Sequence, residues 1–250
     1  MAGRLFLGTS GYVYPHWRNL FYPPRLPASE WLPFYARHFA TVELNNSFYR
    51  LPTKRAFRGW RAAVADDFVF AVKASRFLTH LKRLKAPTRP LDRFLRRVRP
   101  LGPTLGPVLF QLPTQFHVDL PRLARFLRAL ERQRHVERLR ATLEVRHASW
   151  LVPETFDLLR KAGVALCFHD ARVQPVTGPV TADFVYVRRH GTGKRYHGSY
   201  TEAMLRADAR RIRRWLGDGL DVYIYFNNDG GGAAVRNALR LRQMSEGRKL

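Results

Sequence analysis

The 250-residue sequence is poor in cysteine and in long apolar runs. Its single cysteine, Cys167, excludes an intrachain disulfide and a zinc site made of several cysteines. A membrane-spanning helix needs about 18 or more consecutive apolar residues, and no such run occurs. The first residues also lack an apolar core of the length that a secretory signal requires. These absences lead us to expect a cytoplasmic protein.

Acidic residues are scarce as well: 19 Asp and Glu stand against 44 Lys and Arg, a formal net charge of +25. An excess of this size attracts polyanions, so DNA or RNA is a candidate partner, and such binding should weaken as salt rises. The alternative is that the arginines only occupy helix faces that are exposed to solvent. Hydrophobic residues make up 46% of the chain, which excludes a disordered tail protein.

Eight short apolar runs, each bounded by turn residues, predict eight buried strands. They are Leu5–Ser10, Thr41–Asn46, Phe68–Ser75, Gly106–Pro113, Ala141–His147, Ala165–Asp170, Phe184–Gly191 and Val222–Asp229. Helical patterns fill most of the intervals between them. We predict helices from Ser29 to His38, Thr53 to Val64, Asp119 to about Gln133, Pro153 to Gly163, Thr201 to Leu216, and from near Gly232 onward.

The alternation of strands and helices predicts an α/β fold, a single (β/α)8 TIM-type barrel over residues 1–250. Residues 171–182 contain two prolines and a glycine, so we expect an irregular crossover after the sixth strand. Residues from about 243 to 250 are expected to form a flexible basic tail. An open doubly wound sheet is the alternative, but no GxGxxG turn follows the first strand.

Alternate residues of a barrel strand point inward, and ligands bind at the carboxyl ends of the strands. Applied here, the alternation directs many polar side chains toward one mouth: Glu43, Asn45, Lys73, Ser75, Gln111, Glu144, Arg146, Tyr186, Arg188, His190, Tyr225, Asn227 and Asp229. In the sixth strand, either Cys167 and His169 or Phe168 and Asp170 point inward. Two histidines are placed to approach from loops, His80 and His197. This pattern predicts a ligand site at the mouth.

Three cations at the mouth suit an anionic oxygen group: Lys73, Arg146 and Arg188. Four carboxylates suit acid–base chemistry: Glu43, Glu144, Asp170 and Asp229. Together with three histidines these carboxylates form a candidate metal set: His147, His169 and His190. A divalent metal is not favoured, because the spacing matches no known motif and the cations repel it. In the structural alternative, these charges only form buried pairs, such as Glu43 with Lys73 and Glu144 with Arg188.

Other nucleophiles have weak support in the sequence. No serine lies in a GxSxG elbow, and Cys167 lies in an apolar strand, which indicates a buried, inert thiol. Aromatic residues are common near the predicted loops, where they suit stacking on sugar or base rings, or packing beneath the loops. They are Tyr12, Tyr14, Trp17, Phe48, Tyr49, Trp150, Tyr196 and Tyr200.

Seven motifs occur in order from Gly8 to Asp229: GTSGYVYPHW, TVELNNSFYRLP, FAVKASRFLTH, GPVLFQLPTQF, LEVRHASW, YVRRHG and YFNND. With them the sequence resembles the domain of unknown function 72 family, also called YecE-like. The resemblance covers almost the whole chain and implies a TIM-type barrel similar to xylose-isomerase and apurinic-endonuclease barrels. It implies a site at the matching positions: Glu43, Asn45, Lys73, His80, Gln111, Glu144, Arg146, Arg188, His190, Asn227 and Asn228.

Three functions are consistent with these observations. The first is an enzyme acting on a phosphate-containing ligand, a nucleic acid or a sugar phosphate. In it Arg146, Arg188 and Lys73 bind the anion, Glu144 or Glu43 is the general base, and His190 is the acid. The second is a sugar isomerase-like or lyase-like enzyme, and the third is a non-catalytic nucleic-acid-binding barrel. The sequence names no substrate, cofactor or oligomeric state.

Overall fold

The structure, a computed structural model, describes residues 2–171, 175–193 and 197–245. It contains eight strands: β1 Leu5–Thr9, β2 Thr41–Leu44, β3 Val69–Lys73, β4 Leu105–Gln111, β5 Ala141–Glu144, β6 Ala165–His169, β7 Phe184–Arg189 and β8 Asp221–Phe226. These parallel strands form one sheet in the order β1-β8-β7-β6-β5-β4-β3-β2. Ser10, which follows β1, forms a parallel bridge with Glu43 of β2, so the barrel is nearly closed.

Helices surround these strands, and the predicted α/β barrel is confirmed. They are α1 Trp31–Ala36, α2 Asn46–Tyr49, α3 Lys54–Ala62, α4 Thr88–Val98, α5 Leu120–Glu131, α6 Pro153–Lys161, α7 Glu202–Gly217 and α8 Ala233–Ser245. A π-helical turn, Phe77–Leu81, follows β3. Short 3-10 turns occur at Pro15–Trp17, Ala28–Glu30, Arg99–Thr104, Ala148–Trp150 and Gly230–Gly232.

Three predicted helix starts are capped as their residue types suggest. The side chains of Thr53, Asp119 and Thr201 each accept a hydrogen bond from the backbone N–H three residues later. The first predicted helix is wrong at its start, since residues 28–30 form a 3-10 turn and Ser29 caps nothing. Helix α4 was not predicted. Its N-cap position is Pro87, which cannot accept a side-chain hydrogen bond, so the usual start signal is missing.

The irregular crossover predicted after β6 is present in its described part, because residues 175–183 contain no helix. Val176 instead bridges back to His169, and the Thr181 hydroxyl accepts a hydrogen bond from the backbone N–H of Leu166. Residues 172–174 lie outside the described residues. At the C-terminus, residues 243–245 belong to α8 rather than to a tail, and residues 246–250 lie outside the described residues.

The barrel interior is filled mainly by aromatic and small apolar side chains. The inner cluster consists of Phe6, Ala71, Leu109, Ala165, Cys167, Phe184, Tyr186, Tyr223 and Tyr225. This settles the orientation of β6, because Cys167 points inward while Phe168 packs outside on Trp215. The buried charged side chains Glu43, Glu144 and Arg188 lie toward the carboxyl ends of the strands. None of the helices in the described residues has both the length and the hydropathy that spanning a membrane requires.

Candidate functional site at the mouth of the barrel

Arg188, near the carboxyl end of β7, lies between two buried carboxylates. Its Nε and Nη2 atoms donate to Glu43 Oε2 and Oε1 at 3.0 and 2.8 Å, and its Nη1 donates to Glu144 Oε2 at 2.8 Å. Arg188 is 1% exposed and both glutamates are 0% exposed. A guanidinium can serve two carboxylates because its donors form a rigid planar fork. Arg188 therefore connects β2, β5 and β7 inside the barrel.

Glu43 accepts two further hydrogen bonds, from the Ser10 hydroxyl at 2.6 Å and from the Tyr186 hydroxyl at 2.7 Å. Each of its oxygens thus accepts two hydrogen bonds, which is the number that the lone pairs of a carboxylate allow. Burial raises the pKa of Glu43, but the charge of Arg188 and these hydrogen bonds outweigh burial and lower it. A buried carboxylate so fully bonded does not suit the expected role of general base; it positions Arg188.

Glu144 is held between two arginines. Arg146 donates from Nε to its Oε1 atom and its Nη2 is in ion-pair contact with the same oxygen, and Arg188 donates to its Oε2 atom. Burial raises the pKa of Glu144, but the charges of Arg146 and Arg188 hold it well below the ordinary value. The two glutamates and two arginines therefore form a charge-neutral network. Of the two buried pairs considered from sequence, Glu144 with Arg188 is present, but the partner of Glu43 is Arg188 and not Lys73.

His190 accepts hydrogen bonds from the same two arginines. Its Nε2 lies 2.8 Å from Arg146 Nη2 and 3.2 Å from Arg188 Nη1, and guanidinium nitrogens can only donate. Burial lowers the pKa of His190, although its hydrogen bond with Asp170 acts in the opposite direction. A neutral imidazole whose Nε2 accepts from two arginines does not suit the role of general acid expected for His190. It helps to orient Arg146.

Lys73, at the end of β3, forms no ion pair with any described residue, since both nearby glutamates face the arginines. Its Nζ lies 4.2 Å from the centre of the Phe48 ring. Burial and the charge of Arg188 lower the pKa of Lys73 to about 7, against the opposing effects of Glu144 and Glu43. The amine is therefore present in both charged and neutral forms near neutral pH.

Other predicted site residues lie at the same end of the barrel. Asn45, Gln111 and Asn227 are half-buried at or just beyond the ends of β2, β4 and β8, and Asn45 Oδ1 is a buried atom without a hydrogen-bond partner among the described residues. The half-buried His80 ring meets Phe48 edge-on, with ring centres 4.8 Å apart. Burial lowers the pKa of His80 to about 4, so this histidine is neutral at pH 7.

Asn228, which was expected to bind ligand, has partners within the protein. Its side chain is buried and donates to the Gly198 carbonyl at 2.8 Å and to Asn237 Oδ1 at 2.9 Å. Asn228 therefore connects the end of β8 to helix α8. Arg188, also expected to bind ligand, is 1% exposed and is bonded to Glu43 and Glu144.

Several members of the candidate metal set have structural partners instead. His147 packs against His117, with ring centres 3.9 Å apart, and accepts a hydrogen bond from the backbone N–H of Ser149. His169 Nε2 donates to the Val145 carbonyl at 2.8 Å. Asp229 accepts a hydrogen bond at 2.6 Å from the Trp17 indole. In the described part of the chain, no three His, Cys, Asp or Glu side chains are arranged to hold a metal ion.

Most of the loop aromatics pack beneath the loops. Trp17 and Trp150 are 0% exposed, and the Trp150 indole donates to the Phe116 carbonyl. Trp150 is therefore unable to reach a ligand. Tyr49 is the exception, with 74% of its surface exposed, whereas Tyr196 lies outside the described residues. Nothing in the sequence points to Ser10 as a partner of Glu43, because only the closure of the barrel brings β1 beside β2.

Comparison with known proteins yields relatives over most of the chain. UPF0759 protein YunF of Bacillus subtilis (strain 168) is 26% identical, and the alignment covers 89% of each chain. UPF0759 protein YecE of Escherichia coli (strain K12) is 33% identical over 127 residues. That second match covers 50% of this chain and only 44% of YecE, so the chain spans less than half the length of this relative.

Solved structures share the fold. A DUF72 family protein of Thermotoga maritima MSB8 superposes with a TM-score of 0.84 at 28% identity, covering 97% of this chain and 99% of the other. SacUVDE shares only the barrel fold, with a TM-score of 0.60 at 10% identity. The model of one family matches residues 6–250, and its description is "Protein of unknown function DUF72". The resemblance inferred from the motifs is thus confirmed, and the chain belongs to the DUF72 family.

Proposed function

We propose that the protein is an enzyme that binds a phosphate-containing ligand at the mouth of the barrel, and that Lys73 binds the phosphate and transfers a proton. The observation that carries this proposal is the missing counter-ion of Lys73. Both buried glutamates are directed at arginines, so the Lys73 ammonium has no carboxylate partner among the described residues. An anionic ligand supplies the missing negative charge.

Arg146 is the second group that contacts the ligand. It uses Nε and Nη2 in the network with Glu144 and His190, so its Nη1 atom takes no part in those bonds. Its side chain is 12% exposed, whereas Arg188 is closed off. A guanidinium whose orientation is set by a buried carboxylate is preorganised for a phosphate oxygen. Glu43, Glu144, Arg188 and His190 then act as positioning residues.

Lys73 suits proton transfer because general acid–base catalysis works best with a pKa near the working pH. Its pKa of about 7 meets that condition. Binding of a phosphate favours the charged amine, so Lys73 holds a proton while the ligand is bound. Asn45, Gln111 and Asn227 provide neutral hydrogen-bonding groups around this centre. Nucleic acids and sugar phosphates both carry the required phosphate group.

The isomerase-like or lyase-like alternative has less support. It requires a carboxylate that can take a proton next to a carbonyl group. Glu43 and Glu144 are both 0% exposed and hydrogen-bonded to arginines. The non-catalytic alternative differs from our proposal in the proton transfer alone. Two variants distinguish the non-catalytic alternative from our proposal. The proposal predicts that Lys73→Met and Lys73→Arg both lose turnover of a phosphorylated substrate, whereas Lys73→Arg still binds phosphate.

Sulfate binding tests the proposal, because the charge of sulfate does not change near neutral pH. We expect sulfate affinity, measured by calorimetry, to fall by about tenfold or more from about pH 6 to 8.5, as the fraction of charged Lys73 declines. Lys73→Arg should remove this pH dependence, since arginine stays charged. Lys73→Met should bind sulfate weakly at either pH.

The matched control is Lys161→Met, an exposed lysine at the end of α6, on the opposite side of the barrel from the mouth. This variant should bind sulfate with the affinity and pH dependence of the parent protein. If the parent shows no pH-dependent sulfate binding, or if Lys161→Met weakens binding as much as Lys73→Met, the proposed function is wrong.

A further inference from the structure

Large apolar side chains that are exposed cluster at one end of the barrel. Each follows the carboxyl end of a strand, within a loop or in the first turn of a helix: Val13, Leu20, Tyr49, Phe77, Leu81 and Met204. The aromatic members are Tyr49 on α2, which is 74% exposed, and Phe77 on the π-helical turn, which is 48% exposed. Solvent-exposed rings around a mouth indicate a binding surface.

This aromatic surface adjoins the proposed site. Phe48 contacts the Tyr49 ring, with ring centres 5.0 Å apart, and the His80 ring at 4.8 Å. The same Phe48 ring lies 4.2 Å from Lys73 Nζ. The segments after β2 and β3, residues 45–51 and 75–94, therefore form one side of the mouth, which we name the β2–β3 rim.

A groove of about 770 Å³ runs along the β2–β3 rim, between the π-helical turn and α4. Its apolar lining includes Leu51, Leu78 and Phe94. Three exposed cations also line it: Lys82, Arg89 and Arg93. None of its lining residues is acidic, and these cations form no ion pair with a described residue. The groove thus combines apolar surface with uncompensated positive charge.

The backbone between the π-helical turn and α4 is strained. Arg83, Leu84 and Ala86 have φ angles of +45°, +61° and +41°, which residues with a side chain rarely adopt. Leu84 is fully buried and its N–H donates to the Leu78 carbonyl at 3.0 Å, so packing holds the strain in place. Strained segments of this kind and π-helical turns both concentrate at functional sites.

We infer that the β2–β3 rim binds single-stranded nucleic acid, with bases stacked on Tyr49 and Phe77 and phosphates at Lys82, Arg89 and Arg93. Stacking on exposed rings selects single strands, because duplex bases are already stacked on one another. The cationic groove matches the charge of the backbone. This inference identifies the phosphate-containing ligand as a single-stranded nucleic acid. It rests on the proposed function for the claim that the bound strand reaches Lys73.

The experiment measures fluorescence anisotropy with a labelled thymidine oligonucleotide of about 15 nucleotides. We expect Tyr49→Ala/Phe77→Ala to weaken binding by at least about fivefold, because stacking on each ring is lost. The control Leu20→Ala/Met204→Ala also removes two exposed apolar side chains at the mouth and changes no charge. It should bind the oligonucleotide within about twofold of the parent protein.

A duplex of similar length is the second probe, because it is attracted by the same net charge. Its affinity should be unchanged in Tyr49→Ala/Phe77→Ala. Any of three results overturns the inference. The parent protein fails to bind the single strand at about 0.15 M salt, both double variants lose the same single-strand affinity, or Tyr49→Ala/Phe77→Ala loses as much affinity for the duplex as for the single strand. These results do not depend on sulfate binding at Lys73, so failure of this inference and failure of the proposed function are separate outcomes.

Discussion

Replacement of Arg188 by methionine should lower the free energy of unfolding by about 3–5 kcal/mol, the effect of breaking a buried ion pair. Methionine fills part of the space of arginine but carries no charge, so Glu43 and Glu144 lose their shared cation. Both carboxylates are 0% exposed, and water is unable to replace the lost hydrogen bonds. Denaturant unfolding of the two proteins measures the difference.

The stability lost in Arg188→Met should depend on pH. In the native protein the pKa values of Glu43 and Glu144 are lowered, so their stabilising contribution is present above the ordinary glutamate pKa and is lost as the pH falls through the lowered values. Without Arg188, burial dominates and raises the pKa of Glu43. The stability gap between variant and parent should therefore be larger at about pH 7 than at about pH 4.5.

Arg206→Met is the control for Arg188→Met. Arg206 lies on α7, pairs with Glu202 at 3.4 Å, and its side chain is 62% exposed. A surface pair of this kind contributes about 0–1 kcal/mol, so the control should remain close to the parent. A loss below about 1 kcal/mol for Arg188→Met, or a loss that is the same at both pH values, contradicts the buried network described above.

Lys73→Met should have the opposite effect and stabilise the protein, by about 1–3 kcal/mol at about pH 6. The pKa of Lys73 is about 7 in the folded protein, against an ordinary value of 10.5. Burial of this amine in its charged form is therefore unfavourable. A lysine retained for ligand binding is expected to lower stability in this way, whereas a structural lysine paired with Glu43 would stabilise the fold.

The pH dependence of Lys73→Met follows from the same shift. Between about pH 7 and 10.5 the unfolded chain binds more protons at Lys73 than the native protein does, so the stability of the parent rises with pH. The advantage of Lys73→Met should shrink from about pH 6 to 9. Thermal melts with Lys161→Met as the control test this, and a destabilised Lys73→Met would show that Lys73 is structural.

The strands were the most predictable part of the fold. Parallel strands are covered on both faces, so they appear in the sequence as continuous apolar runs such as FVYV and VYIYF. Helices with a capping side chain, such as those after Thr53 and Asp119, were predictable for a similar reason. Helix α4 and the π-helical turn were not predicted, and neither begins with a side-chain cap.

For the site, the sequence by itself determined which side chains point toward the mouth in every strand except β6, because alternation along a strand is a local property of the backbone. It placed Glu43, Lys73, Glu144 and Arg188 at one end of the barrel. Only the tertiary structure decided which charges meet. The register between neighbouring strands and the near closure of β1 onto β2 place Arg188 between the two glutamates and Lys73 against Phe48. The distances between these side chains depend on how the strands pair, so they do not follow from spacing along the chain.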